Sequence, residues 1–395
     1  MTDSKNIEKL TAEAVELLRE MVAIPSPSFH EDAVCSHISN WLTAKGVEHE
    51  RVGNNIIAEH IVDPSKPTLM LCAHIDTVDS CEGYTFDPYK PENCPTDMIQ
   101  GLGSNDDGAS AVSMIAAFRF FGHTIGSGAG VKNNPSHSFG AGPSPCGQGG
   151  STVFNTCTTT PNITLVLTCE EERSGKGGMT GLWGKRLSRI DYAIVGEPTG
   201  MKAATSERGL LVIDATAHGT SGHAARNEGV NALYIALEDI EKIRKHAFAR
   251  KSPLMGDVNV NVTQINAGSA HNVIPDRCDF VIDIRPTEQY TNEDILNELQ
   301  GICRSELKPR NLSNTSSATR AGSPLLKAAE ATGIETFSSP TTSDWMRISC
   351  DAIKMGPGDS ARSHRKDEFV TVKEIKDGVD TYIDFIGNLY EHIME

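Results

Sequence analysis

The chain has 395 residues, and its 36 lysines and arginines against 52 aspartates and glutamates give a formal net charge of −16. This length exceeds the size at which one hydrophobic core usually keeps growing, which predicts two domains. The acidic balance argues against nucleic acid or an anionic membrane surface as the main partner, because both attract surfaces rich in lysine and arginine.

The sequence shows no signal for membrane insertion or secretion. No apolar run approaches the roughly 18 residues of a membrane span, and the start, MTDSKNIEKL, lacks the basic and apolar regions of a secretory signal. The ten cysteines are scattered without a CxxC pair, and Cys72, Cys169 and Cys278 lie in or directly after apolar runs. This pattern favours buried free thiols in a reducing compartment. We therefore expect a cytoplasmic protein.

Helical and strand patterns alternate along the first 200 residues. Amphipathic helices are predicted over 8–24 and over about 31–44, the second closed by Gly46. Residues 54–61 form a predicted strand, and the nearly continuous apolar run 67–76 is typical of a strand buried on both faces. The remaining predicted elements are a helix from about Ala109 and strands at 163–169 and 191–198. The alternation predicts an α/β fold with an open, mostly parallel sheet flanked by helices.

Residues 122–161 break this pattern. Nine glycines fall between 122 and 150, together with many serines, asparagines, threonines and prolines. Such composition is typical of a flexible surface insertion, and an active-site lid is the functional alternative.

The order of elements changes at about residue 205. Strand, helix, strand, strand and helix patterns follow one another, which is the order of a small α+β sandwich of the ferredoxin-like type. After about 310 the chain returns to helices and short strands and ends on a helix at 372–393. We predict a catalytic domain built from 1–204 and 309–395, with a second domain inserted at 205–308.

Histidine and acidic side chains follow the predicted strands at the ends where sites form in open α/β sheets. His74 and Asp76 end one strand, Asp106 lies in the glycine-rich GLGSNDDGAS, and His364 lies far downstream. The other members of this set follow two further strands, and they are Glu170, Glu171, Glu172 and Glu197. An imidazole with two carboxylates suits zinc, cobalt or manganese, and a shared carboxylate suits a two-metal hydrolase.

Taken singly these signals are weak, but seven segments occur in a fixed order. They are HIDTVDS (74–80), GLGSNDDGAS (101–110), LTCEEERSG (167–175), VGEPTG (195–200), HGTSGHAARNEGVNA (218–232), HNVIPD (271–276) and SHRKDEF (363–369). The chain resembles the dinuclear-zinc family of acetylornithine deacetylases, succinyl-diaminopimelate desuccinylases, aminoacylases and related carboxypeptidases. The resemblance covers nearly the whole chain except 122–161.

The resemblance implies two zinc ions, with cobalt as an alternative, and assigns a ligand to each matching position. His74, Asp106 and Glu197 would hold one metal, and the other would be held by Asp106, Glu172 and His364. Asp76 would accept the other ring N–H of His74 and so fix its tautomer.

Glu171 takes the place of the general base, which would deprotonate the water between the metals and later protonate the leaving amine. The triple glutamate leaves a shift of one residue open, because the family usually has Asp-Glu-Glu there. Asp107, which follows the bridging Asp106, departs from the family pattern. It is interpreted either as a solvated charge or as an acceptor behind the ligands.

The resemblance also suggests substrate contacts. His223 matches a position that reaches the partner subunit's active site and stabilises the oxyanion, which implies a homodimer. Arg285 and Asn272 match positions that bind the substrate's α-carboxylate. Gly356 would let the backbone approach the substrate, although a tight turn also explains this glycine. Thr342 is a weaker candidate for contacting the substrate.

The implied activity is hydrolysis of a small N-acyl-L-amino acid. The EPT, SGHAARNEG and SHRKDEF segments are most similar to the acetylornithine deacetylase branch, so deacylation of acetylornithine or acetylcitrulline in arginine biosynthesis is expected. The acyl group, acetyl or succinyl, stays open. A succinyl-diaminopimelate desuccinylase or dipeptidase on the same scaffold is the alternative. A catalytically inactive binding protein is disfavoured because all five ligand positions and Glu171 are present.

Overall fold

The computed structural model describes residues 2–90, 94–126, 161–226 and 228–394. The predicted insertion at 122–161 lies outside the described residues from 127 to 160. Its first residues continue a helix that ends at Gly126.

Within the described ranges the chain alternates between helices and strands, as expected. The helices are α1 (Thr2–Val22), α2 (Asp32–Ala44), α3 (Ala109–Gly126), α4 (Met179–Leu182), α5 (Ala232–Lys245), α6 (Asn292–Ile302), α7 (Pro324–Ala331) and α8 (Val372–Met394). The strands are β1 (Glu50–Val52), β2 (Asn55–His60), β3 (Thr68–His74), β4 (Met98–Gln100), β5 (Asn162–Thr168), β6 (Tyr192–Val195), β7 (Ala203–Glu207), β8 (Leu211–His218), β9 (Gly222–His223), β10 (Asn259–Ala267), β11 (Val273–Ile274), β12 (Arg277–Arg285), β13 (Glu306–Pro309), β14 (Ser317–Ala318), β15 (Thr336–Ser339), β16 (Asp351–Lys354) and β17 (Phe369–Thr371).

Nine of these strands form one large mixed sheet, in the order β1-β2-β5-β3-β6-β16-β7-β14 with β15 also paired to β7. The central neighbours β5, β3, β6 and β16 run parallel, whereas β1, β2 and β14 pair antiparallel at the edges. The α/β class is therefore confirmed, and parallel pairing is concentrated in the middle of the sheet. The parallel centre brings the carboxyl ends of β3, β5 and β6 together.

Both faces of this sheet are covered. On β3, Leu69 and Leu71 pack into the larger core with helices α1, α2, α3, α7 and α8. Met70 and Cys72 point to the opposite face, where they join a smaller core that contains Trp345. The strand is buried along its whole length, which explains its nearly continuous apolar sequence. The three cysteines expected to be buried are indeed buried free thiols, namely Cys72, Cys169 and Cys278.

A separate antiparallel sheet has the order β10-β12-β8-β13. Helices α5 and α6 contribute to the core that its buried side chains form. Local signals begin both helices: Asn231 caps α5, and Thr291 with Asp294 forms a capping box at the start of α6. The β-α-β-β-α-β order is that of a ferredoxin-like unit.

No helix in the described part of the chain combines the length and apolar character needed to cross a membrane.

Candidate metal centre and active-site cleft

The histidine and acidic residues that follow the central strands meet at one edge of the large sheet. His74 ends β3, Glu171 and Glu172 follow β5, and Glu197 follows β6. Asp106 reaches the same place from the loop Ser104–Gly108, which precedes α3 and contains a cis peptide bond between Asp106 and Asp107. Strand topology thus explains why residues so distant in sequence share one site.

Asp106 lies between the two histidines. Its Oδ1 is 3.2 Å from His74 Nε2, and its Oδ2 is 3.8 Å from His364 Nε2. His364 Nε2 is also 2.9 Å from Glu172 Oε2. A carboxylate placed between two imidazoles in this way has the geometry of a bridging ligand.

Two groups of side chains offer ligand atoms that all lie within 4.8 Å of one another. One group is His74, Asp106 and Glu172, and the other is His74, Glu171 and Glu197. Neither group is one of the two predicted ligand sets, because Glu171 stands with His74 and Glu197, and His364 belongs to neither group. His364 joins the cluster through its 2.9 Å contact with Glu172, so all five predicted ligands and Glu171 lie close together.

Asp76 supports the cluster from behind. His74 Nδ1 is 2.9 Å from the Asp76 carbonyl oxygen and 3.5 Å from its Oδ1. The buried carboxylate also accepts hydrogen bonds from the backbone N–H groups of Glu171 and Glu172, at 3.0 and 3.2 Å, and from the Ser28 hydroxyl at 2.7 Å. Asp76 thus contacts the imidazole mainly through its backbone carbonyl, and its side chain holds the turn that carries two glutamates.

The three consecutive glutamates have different surroundings. Glu170, with a φ of 59°, turns away from the cluster, and its carboxylate accepts a hydrogen bond from Gly177 N–H at 2.7 Å. A Cβ at Gly175 would lie 2.1 Å from Glu170 Oε2, so that turn requires glycine. Glu171 and Glu172 face the cluster and line the cleft. This geometry matches the register in which Glu171 and Glu172 carry the chemistry.

The cluster concentrates negative charge. Burial, reinforced by neighbouring carboxylates, raises the pKa of Glu171 and of Glu197 well above the usual range, and it also raises that of Glu172. The hydrogen bond that the His364 imidazole donates to the Glu172 carboxylate raises the pKa of His364 to about 9. Burial lowers the pKa of His74, but Asp106 and Asp76 outweigh this effect and raise it. Carboxylates held together at this density call for compensating cations.

Asp107 is not a solvated charge, so that interpretation was wrong. Its side chain is 1% exposed, and neither carboxylate oxygen has a hydrogen-bond partner among the described residues. Burial raises its pKa to about 8.

The structure adds two acidic residues that sequence reasoning did not single out. Glu368 is buried, and its Oε1 accepts hydrogen bonds from the backbone N–H groups of Asn105 and Asp106 at 2.9 and 3.0 Å. It lies in the quoted SHRKDEF segment, which was the available signal. Asp344 is buried beside Glu171 and accepts a hydrogen bond from the Thr168 hydroxyl at 2.7 Å. No motif marks Asp344.

The cluster lies in a cleft of about 750 Å³. Several residues within 335–342 and within 358–364 also line this cleft. Thr342 lines this cleft, whereas Gly356 does not. A Cβ at Gly356 would lie 2.6 Å from the Glu197 carbonyl oxygen. The glycine therefore permits close packing behind Glu197, and no approach of substrate is needed to explain it.

The candidates within residues 205–308 do not line the cleft within the described chain. His223 is exposed on β9, which pairs with β11, and Asn272 accepts a backbone hydrogen bond from Ala224 at 3.0 Å. Arg285 binds Asp283 through two hydrogen bonds, at 2.8 and 3.1 Å. Within one chain, these three residues therefore do not reach the predicted metal ligands, and they do not form one group.

Comparison with known proteins agrees with this architecture. Residues 205–311 match the model of the M20 peptidase dimerisation domain. A succinyl-diaminopimelate desuccinylase of Wolbachia pipientis is 26% identical, with 95% of this chain and 93% of the relative aligned. An acetylornithine deacetylase of Proteus mirabilis is 24% identical over 92% and 93% of the two chains. The chain is similar to M20 peptidases and their deacylase relatives over nearly its whole length.

A solved M20 structure shows the same fold. The crystal structure of a dinuclear-metal-binding M20 peptidase of Bacillus subtilis superposes with a TM-score of 0.67 at 14% identity, covering 98% of each chain. The predicted family resemblance and fold class are confirmed. These similarities support a hydrolase of the amidohydrolase and peptidase type, and the structure contains groups of side chains that could hold a metal ion.

Proposed function

We propose that this protein is a hydrolase that removes the N-acyl group from an N-acyl-L-amino acid, with acetylornithine or acetylcitrulline as substrate in arginine biosynthesis. The observation that supports the proposal is the cluster in the cleft. It groups Glu171 with His74 and Glu197 and also contains Asp106, Glu172 and His364. The relatives named above include an acetylornithine deacetylase, which supports this choice.

The side chains fit two divalent metal ions. Two imidazoles and the carboxylates of Asp106, Glu172 and Glu197 form the donor set, and nitrogen with oxygen donors suits zinc, with cobalt as a substitute. Burial and neighbouring carboxylates raise the pKa values of the glutamates, which supports a site that is completed by cations. When bound, the metals would polarise the scissile carbonyl and acidify the attacking water.

The protein's own residues would do the rest. Glu171 would accept the proton of the attacking water and deliver it to the leaving amine. Asp76 would keep His74 in one tautomer through Nδ1 and hold the backbone of Glu171 in place. Glu368 would fix the Asp106 loop through its two backbone hydrogen bonds.

The inserted unit, proposed to span 205–308, would supply the remaining contacts in a homodimer. His223 lies outside the cleft of its own chain, which supports a role in the partner's site. Arg285 and Asn272 would bind the α-carboxylate, and for this Arg285 has to share its guanidinium between Asp283 and the substrate. A cytoplasmic location agrees with the buried free thiols.

A desuccinylase or dipeptidase on the same scaffold is the alternative, because the desuccinylase relative is as similar as the deacetylase. The test is amine release, with zinc or cobalt added, from acetylornithine, acetylcitrulline, their succinyl counterparts, succinyl-diaminopimelate and several dipeptides. We expect the ornithine or citrulline compounds to be cleaved best. Cleavage of only dipeptides or the diaminopimelate compound would replace the proposed substrate.

A further inference from the structure

We propose that the cleft selects an uncharged acyl group, such as acetyl, and excludes an acyl group that carries a second carboxylate, such as succinyl. This inference rests on the proposed deacylase function. It comes from the charged residues of the cleft wall, by which we mean the residues that line the cleft outside the metal cluster.

Three cations lie in the cleft wall, and each is paired with a glutamate of the same chain. Lys202 Nζ lies 2.6 Å from Glu335 Oε2. Arg362 Nη1 lies 3.0 Å from each carboxylate oxygen of Glu374. The guanidinium of Arg362 also stacks on the ring of Phe369, 4.2 Å from its centroid. These contacts hold Arg362 against its own chain.

The third cation, Lys354, is the most tightly held. It is 1% exposed, and its Nζ lies 3.1 Å from Glu207 Oε2. It also donates to the Thr341 carbonyl oxygen at 2.9 Å and contacts Thr341 Oγ1 at 3.4 Å. These partners account for the three N–H donors of an ammonium group. Glu207 is itself buried and bound by the Ser343 hydroxyl at 2.7 Å.

Asp359 leaves the wall with an excess of negative charge. Its exposed carboxylate accepts a hydrogen bond from Ala361 N–H at 2.8 Å and forms no ion pair with a described residue. An anionic group that binds against the cleft wall would therefore lose hydration and lie near the like charge of Asp359. The cations of the wall are already neutralised by glutamates.

The acyl group is the part of the substrate that faces this wall. If the inserted unit holds the α-carboxylate, the other side of the scissile amide is left to the cleft lining, which contains residues 335–342 in part. Neighbouring cations do not alter the wall. Arg173 binds Asp79 at 2.9 Å, and Arg365 donates to the Ala361 carbonyl oxygen. Arg347, which interacts with Glu171 and Asp344, donates to Ser313 Oγ and Asn314 Oδ1. None of these three arginines lines the cleft.

The direct test compares two acyl groups of the same shape and different charge. We would measure kcat/KM of the metal-loaded enzyme for N-succinyl-L-ornithine and for its terminal amide, N-succinamyl-L-ornithine. We expect the amide to be cleaved at least about tenfold more efficiently, since like-charge contacts penalise only the succinyl compound. Equal cleavage, or preference for the succinyl compound, would overturn the proposal.

Two variants test the residues responsible. Asp359→Asn removes the unpaired charge, and Glu335→Gln frees Lys202, so each should shift the ratio of succinyl to succinamyl cleavage by several-fold towards succinyl. Asp257→Asn, which breaks the exposed pair with Lys251 outside the cleft, is the matched control and should leave the ratio unchanged. An unchanged ratio in both cleft variants would contradict the proposal.

Failure of the underlying function would look different. If dipeptides are cleaved and N-acyl amino acids are not, the deacylase proposal fails, and the wall is tested with N-terminal glutamate against N-terminal glutamine. Preference for glutamine would retain the charge selection, whereas equal use of both would overturn it. Absence of cleavage of every amide would overturn both proposals.

Discussion

The carboxylate of Asp76 accepts a hydrogen bond from the backbone N–H of Glu171 at 3.0 Å. The same carboxylate lies 3.5 Å from Nδ1 of His74. His74 Nδ1 is also 2.9 Å from the backbone carbonyl oxygen of Asp76, so one buried residue contacts both a proposed metal ligand and the backbone of the proposed base.

This relationship predicts that Asp76→Asn lowers metal affinity by about 10- to 100-fold, the usual effect of removing a partner behind a ligand. Turnover at saturating metal should fall as well, because the backbone N–H groups of Glu171 and Glu172 lose a charged acceptor. Metal titration and kcat would be measured on the same preparation. Asp79→Asn, at an exposed aspartate bound to Arg173, is the control. Unchanged affinity and turnover in Asp76→Asn would refute the role.

The glutamate triplet predicts three different phenotypes. Glu171→Gln should keep its metal and lose about 10²- to 10⁴-fold in kcat, the range for general acid–base catalysis. Glu172→Gln should lose bound metal, because this residue contacts His364 and groups with His74 and Asp106. Glu170→Gln should retain both, since a glutamine oxygen can still accept from Gly177 N–H. Metal analysis and turnover distinguish the three variants. A severe loss of turnover in Glu170→Gln alone would mean that the assignment of base and ligand is shifted by one residue.

Metal removal should abolish activity, and zinc or cobalt should restore it. Rebinding should also raise the melting temperature. Burial and neighbouring carboxylates raise the pKa values of Glu171 and Glu197, and bound cations offset both costs. A ligand that binds only the folded state also stabilises it. Calorimetry of stripped and reloaded protein measures this directly. Full activity in the stripped protein would contradict the mechanism.

Subunit mixing tests the dimer. His223→Ala and Glu171→Gln should each be inactive alone, but a mixed dimer would contain one site with both native residues. Coexpression in equal amounts should therefore restore about a quarter of the native activity in a random twofold-symmetric assembly. Activity at the level of the separate variants would place His223 outside the partner's site.

Asp107 predicts a pH dependence of stability in the metal-free protein. Burial raises its folded pKa to about 8, above the value in the unfolded chain. Its unfavourable ionisation is absent at pH values below the unfolded pKa, and the cost grows until the pH passes the folded pKa. Asp107→Asn should therefore gain melting temperature over the native protein progressively from about pH 4 to pH 8. A constant difference across this range would be the contrary result.

The sequence by itself determined the fold class and predicted the histidines and carboxylates that the structure brings to one edge of the sheet. The apolar sequence of a strand such as 68–74 predicts burial on both faces. His74, Glu172 and Glu197 lie at or just after the ends of such strands, so local patterns place them at one edge of the sheet. The order of the motifs then identified the family.

Only the tertiary structure decided which neighbours those residues have. Glu368 contacts Asn105 across 263 positions, and Asp344 contacts Thr168 across 176, so no local pattern could reveal either pair. The burial of Asp107 and the turning of Glu170 towards Gly177 depend on the packed loops around them. Local sequence sets propensity and polarity, whereas hydrogen bonds and ion pairs between distant segments exist only once the chain has folded.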